Sequence, residues 1–184
     1  QSSYAARNLG IENATGELIA LLDADMTVEN GWLETAVNAI QRRSIDYMGT
    51  NVVVYVPDGA DSITAVYNQR NSFPIERYIK EEHFAGAGCL IVRRDVFDAL
   101  GLFDPRLVSG GDVEFGNRVY DAGFELGYEP SVKVYHPARP TLRATLKKSA
   151  RVGRGSAQLA RYYPDRYVHL GVINPIRLAR RQLG

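Results

Sequence analysis

An α/β fold with a largely parallel sheet is what this sequence predicts, and three observations carry the prediction. Two short apolar runs, Leu18 to Leu22 and Cys89 to Val92, are too brief for helices and read as buried strands. Segments of helical spacing alternate with them, as at Trp32, Leu33, Ala36, Val37 and Ile40. Glycine, proline and asparagine clusters punctuate the alternation. Such a pattern puts helices on a mostly parallel sheet.

In chain order, Tyr4 to Asn13 reads as a short helix closed by Asn13-Ala14-Thr15-Gly16. The strand at Leu18 runs straight into Asp23-Ala24-Asp25, and Asn30 is the expected cap of the helix that follows. Tyr47 to Val56, rich in β-branched residues, reads as a strand that stops at Pro57-Asp58-Gly59. Residues 62–83 read as helical pieces interrupted near Pro74. Gly86-Ala87-Gly88 opens the strand at Cys89, and a short helix then runs from Asp95, as its cap, to Gly101. After the turn Leu102-Phe103-Asp104-Pro105, Gly110-Gly111 leads into a helix that ends at Gly123. Two short strands, around Leu126 to Tyr128 and Val132 to Tyr135, precede His136-Pro137. A long basic helix is expected from Thr141 to about Tyr163.

At 184 residues the chain suits one domain with a substantial core. Its 45% apolar and 23% charged content places it among globular rather than disordered chains. No stretch approaches the ~18 apolar residues of a membrane span. The start at Gln1 is expected of a cut or processed product of a longer protein. A single cysteine, Cys89, cannot form an internal disulfide, and its apolar neighbours predict a buried structural thiol. Together these features predict a cytoplasmic protein, with the inner face of the membrane as its expected station.

Charge is divided along the chain. From Arg139 onward there are eleven Lys or Arg and one acid, Asp165. The earlier part carries twenty acids against eleven bases. An acidic body able to hold a metal, followed by a basic arm for phosphates or anionic lipid, is the physical expectation.

Asp23 and Asp25 fall at the carboxyl end of an apolar strand, where open α/β sheets place their ligands. Two carboxylates there suit Mg²⁺ or Mn²⁺, which also take phosphate oxygens from substrate. Capping of the next turn is the plainer alternative for both.

Three blocks of the sequence carry a resemblance. They are Ala6-Arg7-Asn8-Leu9-Gly10 with Ala14-Thr15-Gly16-Glu17 and Leu21-Leu22-Asp23-Ala24-Asp25; Gly86-Ala87-Gly88-Cys89-Leu90-Ile91-Val92-Arg93-Arg94 with Leu100-Gly101-Leu102-Phe103-Asp104; and Gly110-Gly111-Asp112-Val113-Glu114 with Arg118 and Gly123. In order and spacing they resemble family 2 glycosyltransferases of the GT-A fold. That fold is a three-layer sandwich, and the resemblance implies that its N-terminal strands, which hold the nucleoside, lie outside this chain. Residues 1–138 then correspond to the metal and acceptor half of the catalytic domain, and residues 139–184 to a basic helical extension of it.

The resemblance implies an inverting, metal-dependent transfer from a nucleotide-sugar, UDP by family habit, to a glycan or lipid-linked acceptor, with no nucleic-acid partner and a place in polysaccharide biosynthesis. Asp23 would contact ribose or metal, Asp25 would ligate the ion at the donor diphosphate, and Asp112 would be the base. The family usually has Glu-Asp where this sequence has Gly111-Asp112, so Glu114 becomes a competitor. Helix geometry favours Asp112, since residues two apart point to different faces. Asp112 sits in a first turn that favours an anion, behind two glycines that leave room for substrate. Glu114, four before Arg118, is explained most simply by a surface ion pair. Gly86 and Gly111 belong to the acceptor side. His136 matches a third family metal ligand, and imidazole favours Mn²⁺. His83 and His169 read as structural.

On the basic helix, Arg143, Lys147, Arg151 and Arg154 form one stripe, and Leu142, Leu146, Ala150, Gly153 and Ala157 form an apolar stripe beside it. Arg151 and Arg154 are the expected donor-binding pair. A solvated face or peripheral membrane contact are the alternatives for the stripe. A Gln-x-x-Arg-Trp motif, common among processive relatives, is absent. An exposed sheet edge makes self-association an expectation. Two rival readings remain: a degenerate glycan- or partner-binding domain, and a haloacid-dehalogenase-like phosphatase using Asp23, for which Lys80 is the only lysine in the required interval.

Overall fold

The computed structural model describes residues 2–60, 62–71 and 73–170. Its helices are α1 (Ser3–Asn13), α2 (Trp32–Arg43), α3 (Ile63–Asn71), α4 (Ile75–Arg77), α5 (Arg94–Leu100), α6 (Gly111–Asp121), α7 (Leu142–Tyr162) and α8 (Pro164–Tyr167). Its strands are β1 (Leu18–Leu22), β2 (Thr27–Val28), β3 (Tyr47–Tyr55), β4 (Cys89–Arg93) and β5 (Leu126–Pro137). A π-helical turn, Tyr78–Glu82, continues α4.

The strands form one sheet in the order β1-β4-β3-β5-β2. β1, β3 and β5 share one direction, but β4 runs against both its neighbours and β2 runs against β5. Among the described residues only β3 and β5 therefore pair in parallel, and the sheet is mixed. β4 pairs with the first part of β3, Tyr47 to Gly49, after a connection that includes α3, α4 and the π-helical turn.

Helices cover both faces of the sheet. On one, Tyr47 of β3 meets the Phe115 ring of α6 at 6.1 Å, and Gly49 lies against Ile75, Ile79 and Ala85. On the other, α2 packs against β5, and Ile45 at its exit fills the space beside Gly127. Phe97, Phe103 and Phe115 pack ring to ring, with centroids 4.8–6.1 Å apart, and form the aromatic centre of the core. Burying each such side chain stabilises the fold by about 1.5–3 kcal/mol. Cys89 is buried as expected, and burial pushes its thiol well above the ordinary range.

Several boundaries differ from the sequence reading. The cap of α2 is Gly31 at φ 76°, not Asn30, because the chain turns there through a left-handed conformation. Arg93 precedes α5, and Asp95 lies in its first turn. The two short strands expected before His136 are one strand with a bulge. Thr50 pairs with Glu129 and Asn51 with Lys133, leaving residues 130–132 without partners on β3. Asn51 donates to the Pro130 carbonyl (3.1 Å), and the Glu129 carboxylate accepts from Ser131 Oγ (2.7 Å), which holds the bulge together. The break at Pro74 and the long basic helix are as expected, and the Thr141 side chain caps that helix.

Helix α7 is fastened to the body rather than appended to it. Gly155 lies so close to Ser109 that any side chain there would collide with it, and Leu159 packs over Gly110. Residues 171–184 of the expected basic extension lie outside the described residues. β1 stands at one edge of the sheet with the uncharged sequence Leu-Ile-Ala-Leu-Leu. No described helix is long and apolar enough to cross a membrane.

Candidate active site

β1 delivers its acids as the sequence predicts. Beyond Leu22 the Asp23 amide donates to the Gly88 carbonyl (3.2 Å), and the Met26 amide donates back to Asp23 (3.0 Å), closing a tight turn. The Asp23 carboxylate occupies the space a side chain at Gly88 would need, and Arg7 of α1 is ion-paired to it. Asp25, two residues on, is largely exposed and faces His136, with Nε2 to Oδ2 at 3.6 Å.

His136 itself is buried on β5, its ring 5.1 Å from that of Phe73. Its Nδ1 lies 2.7 Å from the Pro137 carbonyl oxygen, which can only accept, so the ring proton belongs on Nδ1. The Nε2 lone pair then points toward a carboxylate. Two acceptors so placed call for a cation between them, either a proton or a metal ion. A divalent ion at this place would take Asp25 and His136 as its protein ligands. The three ligands expected from the sequence do not converge, because Asp23 is turned to Arg7. Among the described residues no three His, Cys, Asp or Glu side chains form a metal-holding group. The chain thus offers two donors, which suits an ion whose remaining ligands are substrate phosphates and water.

Asp112 lies in the first turn of α6, half-buried, and accepts a hydrogen bond from Tyr4 Oη (3.0 Å). The Tyr4 ring fills the space beside Gly111, and Gly86 stands next to Asp112 Oδ2. Burial, and then the Asp112 charge, drive the Tyr4 phenol well above its ordinary range, so it remains a donor. Glu114 is placed differently from the sequence reading. Its ion pair with Arg118 exists, but it is buried: Arg118 Nε and Nη2 reach the carboxylate at 2.9 and 3.0 Å. Arg118 also donates to the carbonyls of Leu100 and Leu102, so the pair clamps the α5–α6 connection.

A cationic group borders the acids. Arg139 is half-buried, and burial lowers its pKa while Asp25 and Asp23 oppose the shift. Lys148 of α7 is more deeply placed, its Nζ 5.0 Å from the Phe73 ring centroid. Burial, with Arg139 and Arg151 nearby, lowers Lys148 to about 8. Arg151 reaches Ser109 Oγ at 3.5 Å. Arg154 is exposed on the next face of α7, and no described contact joins it to the acids. Lys80 is paired with Glu76 (2.6 Å) on the surface, so the phosphatase reading loses its lysine.

The sequence profile described as glycosyl transferase family 2 matches residues 2–101, more than half of the chain. The chain belongs to glycosyl transferase family 2. Glycosyltransferase AglE of Haloferax volcanii is 38% identical over 159 residues, covering 86% of this chain and 52% of that protein. The pre-mycofactocin glycosyltransferase of Mycobacterium tuberculosis is 28% identical, covering 88% and 36%. The chain therefore spans about half the length, or less, of these relatives. Among solved structures, the mannosyltransferase PcManGT of Pyrobaculum calidifontis, in complex with GDP-Man and Mn²⁺, superposes with TM-score 0.58 at 17% identity, over 88% of this chain and 44% of that one. TarS of S. aureus, in complex with UDP-GlcNAc, gives 0.54 at 17%, over 75% and 39%. These likenesses establish the GT-A fold for this family 2 chain.

Four residues of the site stand outside the sequence-derived set: Tyr4, Arg7, Arg139 and Lys148. Tyr4 and Arg7 share one face of α1, three apart, and link it to Asp112 and Asp23. That spacing was the available signal, although nothing in it specifies a partner a hundred residues away.

Proposed function

We propose that this chain forms the metal and acceptor half of an inverting glycosyltransferase acting on a nucleoside-diphosphate sugar, with UDP as the expected nucleotide. The observation that carries the reading is Asp25 facing the lone pair of His136 beside a cationic group made of Arg139, Lys148 and Arg151. A divalent ion, Mn²⁺ or Mg²⁺, held by Asp25 and His136 would oppose the charge that grows on the leaving diphosphate. Arg139, Lys148 and Arg151 bind the same phosphates from the other side, with Arg154 an outer contact and Asp23 held by Arg7 toward the ribose.

Across the site, Asp112 takes the proton of the acceptor hydroxyl as that oxygen bonds to the anomeric carbon. The bond from that carbon to the diphosphate breaks with its electron pair, so configuration inverts. The Tyr4 hydroxyl holds the Asp112 carboxylate in place, Gly111 makes room for the Tyr4 ring, and Gly86 leaves room for the acceptor, a glycan or a lipid-linked sugar. Glu114 supports this side only by fixing α6. Residues 1–138 carry this chemistry, residues 139–184 add the phosphate-binding helix, and biosynthesis of a polysaccharide at the cytoplasmic side of a membrane is the expected setting. The apolar edge of β1 makes self-association in solution an expected outcome.

Donor hydrolysis or transfer by the full-length protein, followed as Mn²⁺ is titrated with UDP-sugars and GDP-mannose, tests the proposal. Asp25→Ala and His136→Ala should each raise the Mn²⁺ needed for half-activity at least about tenfold. Unchanged Mn²⁺ dependence in both would remove the metal assignment. Absence of nucleotide binding by the wild type would favour a degenerate binding domain.

A further inference from the structure

Helix α7 has an inner side defined by contact. Gly155 touches Ser109, Leu159 covers Gly110 and Lys148 lies over Phe73. Leu142, Leu146, Ala150, Gly153 and Ala157 project from the opposite side, since 100° per residue puts them about half a turn away. Leu142 and Leu146 are 62% and 60% exposed, and a side chain at Gly153 would meet nothing within 4 Å. Arg143, Lys147 and Arg154 flank this apolar stripe, and α7 contains no Asp or Glu.

Helix α3 lies alongside. Ser62 Oγ donates to the Pro140 carbonyl (2.6 Å), and Asn68 Nδ2 donates to Thr145 Oγ1 (3.1 Å). Ala65 and Asn68 face inward, while Ile63 is 92% and Tyr67 42% exposed. Arg70 shares that outer face, and α3 also lacks acidic residues.

We infer that the outer faces of α3 and α7 together dock on an anionic lipid surface. The apolar side chains enter the boundary between headgroups and acyl chains, and the basic flanks meet lipid phosphates. Charge selects this occupant. In a symmetric pairing of two copies, Arg143, Lys147 and Arg154 would face their own kind with no acid to relieve them. A nucleic acid would satisfy the bases and leave the apolar stripe in water. Docking stands independently of the transferase reading. Only the further step, that the acceptor reaches Asp112 from a bilayer, rests on it.

Flotation of the full chain with phosphatidylcholine vesicles, with and without phosphatidylglycerol, is the test. Binding should need the anionic lipid and weaken as salt rises, since each basic residue near the surface contributes about fivefold. The double variant Leu142→Glu, Leu146→Glu should bind at least tenfold more weakly, with its thermal unfolding and its turnover of a soluble acceptor unchanged. Vesicle binding that this variant retains would mean adsorption by charge alone and overturn the proposal. A wild-type dimer dispersed by the same substitutions would assign the face to a second copy and overturn it too. Vesicle binding as expected, without transfer to any acceptor, would uphold docking while the transferase reading fails.

Discussion

Asp112 and Glu114 stand two residues apart in the same helix, both acidic, yet the structure treats them in opposite ways. Glu114 is 8% exposed, its two oxygens taken by Arg118, which in turn binds the carbonyls before α6. Asp112 is half-buried, and its neighbours are a phenol hydroxyl, the Val113 amide and two glycines. A carboxylate engaged on both oxygens by a guanidinium has little capacity left to accept a proton from substrate. One whose neutral donors, the Tyr4 hydroxyl and the Val113 amide, both reach Oδ1 keeps that capacity on Oδ2. The helix thus separates a structural acid from a reactive one by turning them to different sides.

The largest expected effect follows directly. Asp112→Asn should lower kcat by about 10²–10⁴-fold and leave thermal unfolding unchanged. Glu114→Gln should do the reverse. It strands the Arg118 charge, so chemical denaturation should show a loss of about 2–3 kcal/mol, discounted from the full value for a buried pair because Arg118 is partly exposed. Its kcat per folded molecule should hold. Equal catalytic losses in the two variants would break the contrast.

Tyr4→Phe sharpens it further, removing one hydrogen bond and lowering kcat about fivefold with KM for the donor unchanged. The smallest effect lies outside α6. Lys148 in the free protein, lowered to about 8 by burial beside Arg139 and Arg151, loses its charge as pH rises through that value. Nucleoside diphosphate affinity should therefore fall above about pH 8, and Lys148→Arg should flatten the decline; calorimetry across that range reads both. The same depressed value means that the protein's own stability rises with pH from about 8 toward the ordinary lysine range, because the unfolded chain binds the extra proton there.

Local signals were legible in the sequence where they depend on local physics. The run Leu18 to Leu22, the break at Pro74, the long helix beginning about Thr141 and the acids after β1 all came from spacing and residue type. Pairing direction was not legible, since the apolar pattern of β4 is the same whichever way it runs. Two-residue β2 was too short to leave a pattern. The burial of Glu114 escaped because an i,i+4 ion pair has the same spacing inside a protein as on its surface. Arg139 and Lys148 were hidden among eleven basic residues, and only the packing of α7 against the body separates them from the rest. The apolar stripe on α7 had the period of a core-facing stripe, and the structure turns it outward because Gly155 and Leu159 claim the contact.

The bulge in β5 has a consequence for how this chain tolerates insertions and deletions. Residues 126–129 take their register from Tyr47 to Thr50, and residues 133–137 take theirs separately from Asn51 to Tyr55. The unpaired stretch 130–132 between them absorbs changes in length. A residue gained or lost there leaves His136 opposite Val54, whereas one lost between Lys133 and Tyr135 turns its ring to the other side of the sheet. Drift in chain length before Lys133 thus spares the register of the Asp25–His136 pair, whereas drift after it breaks the pair.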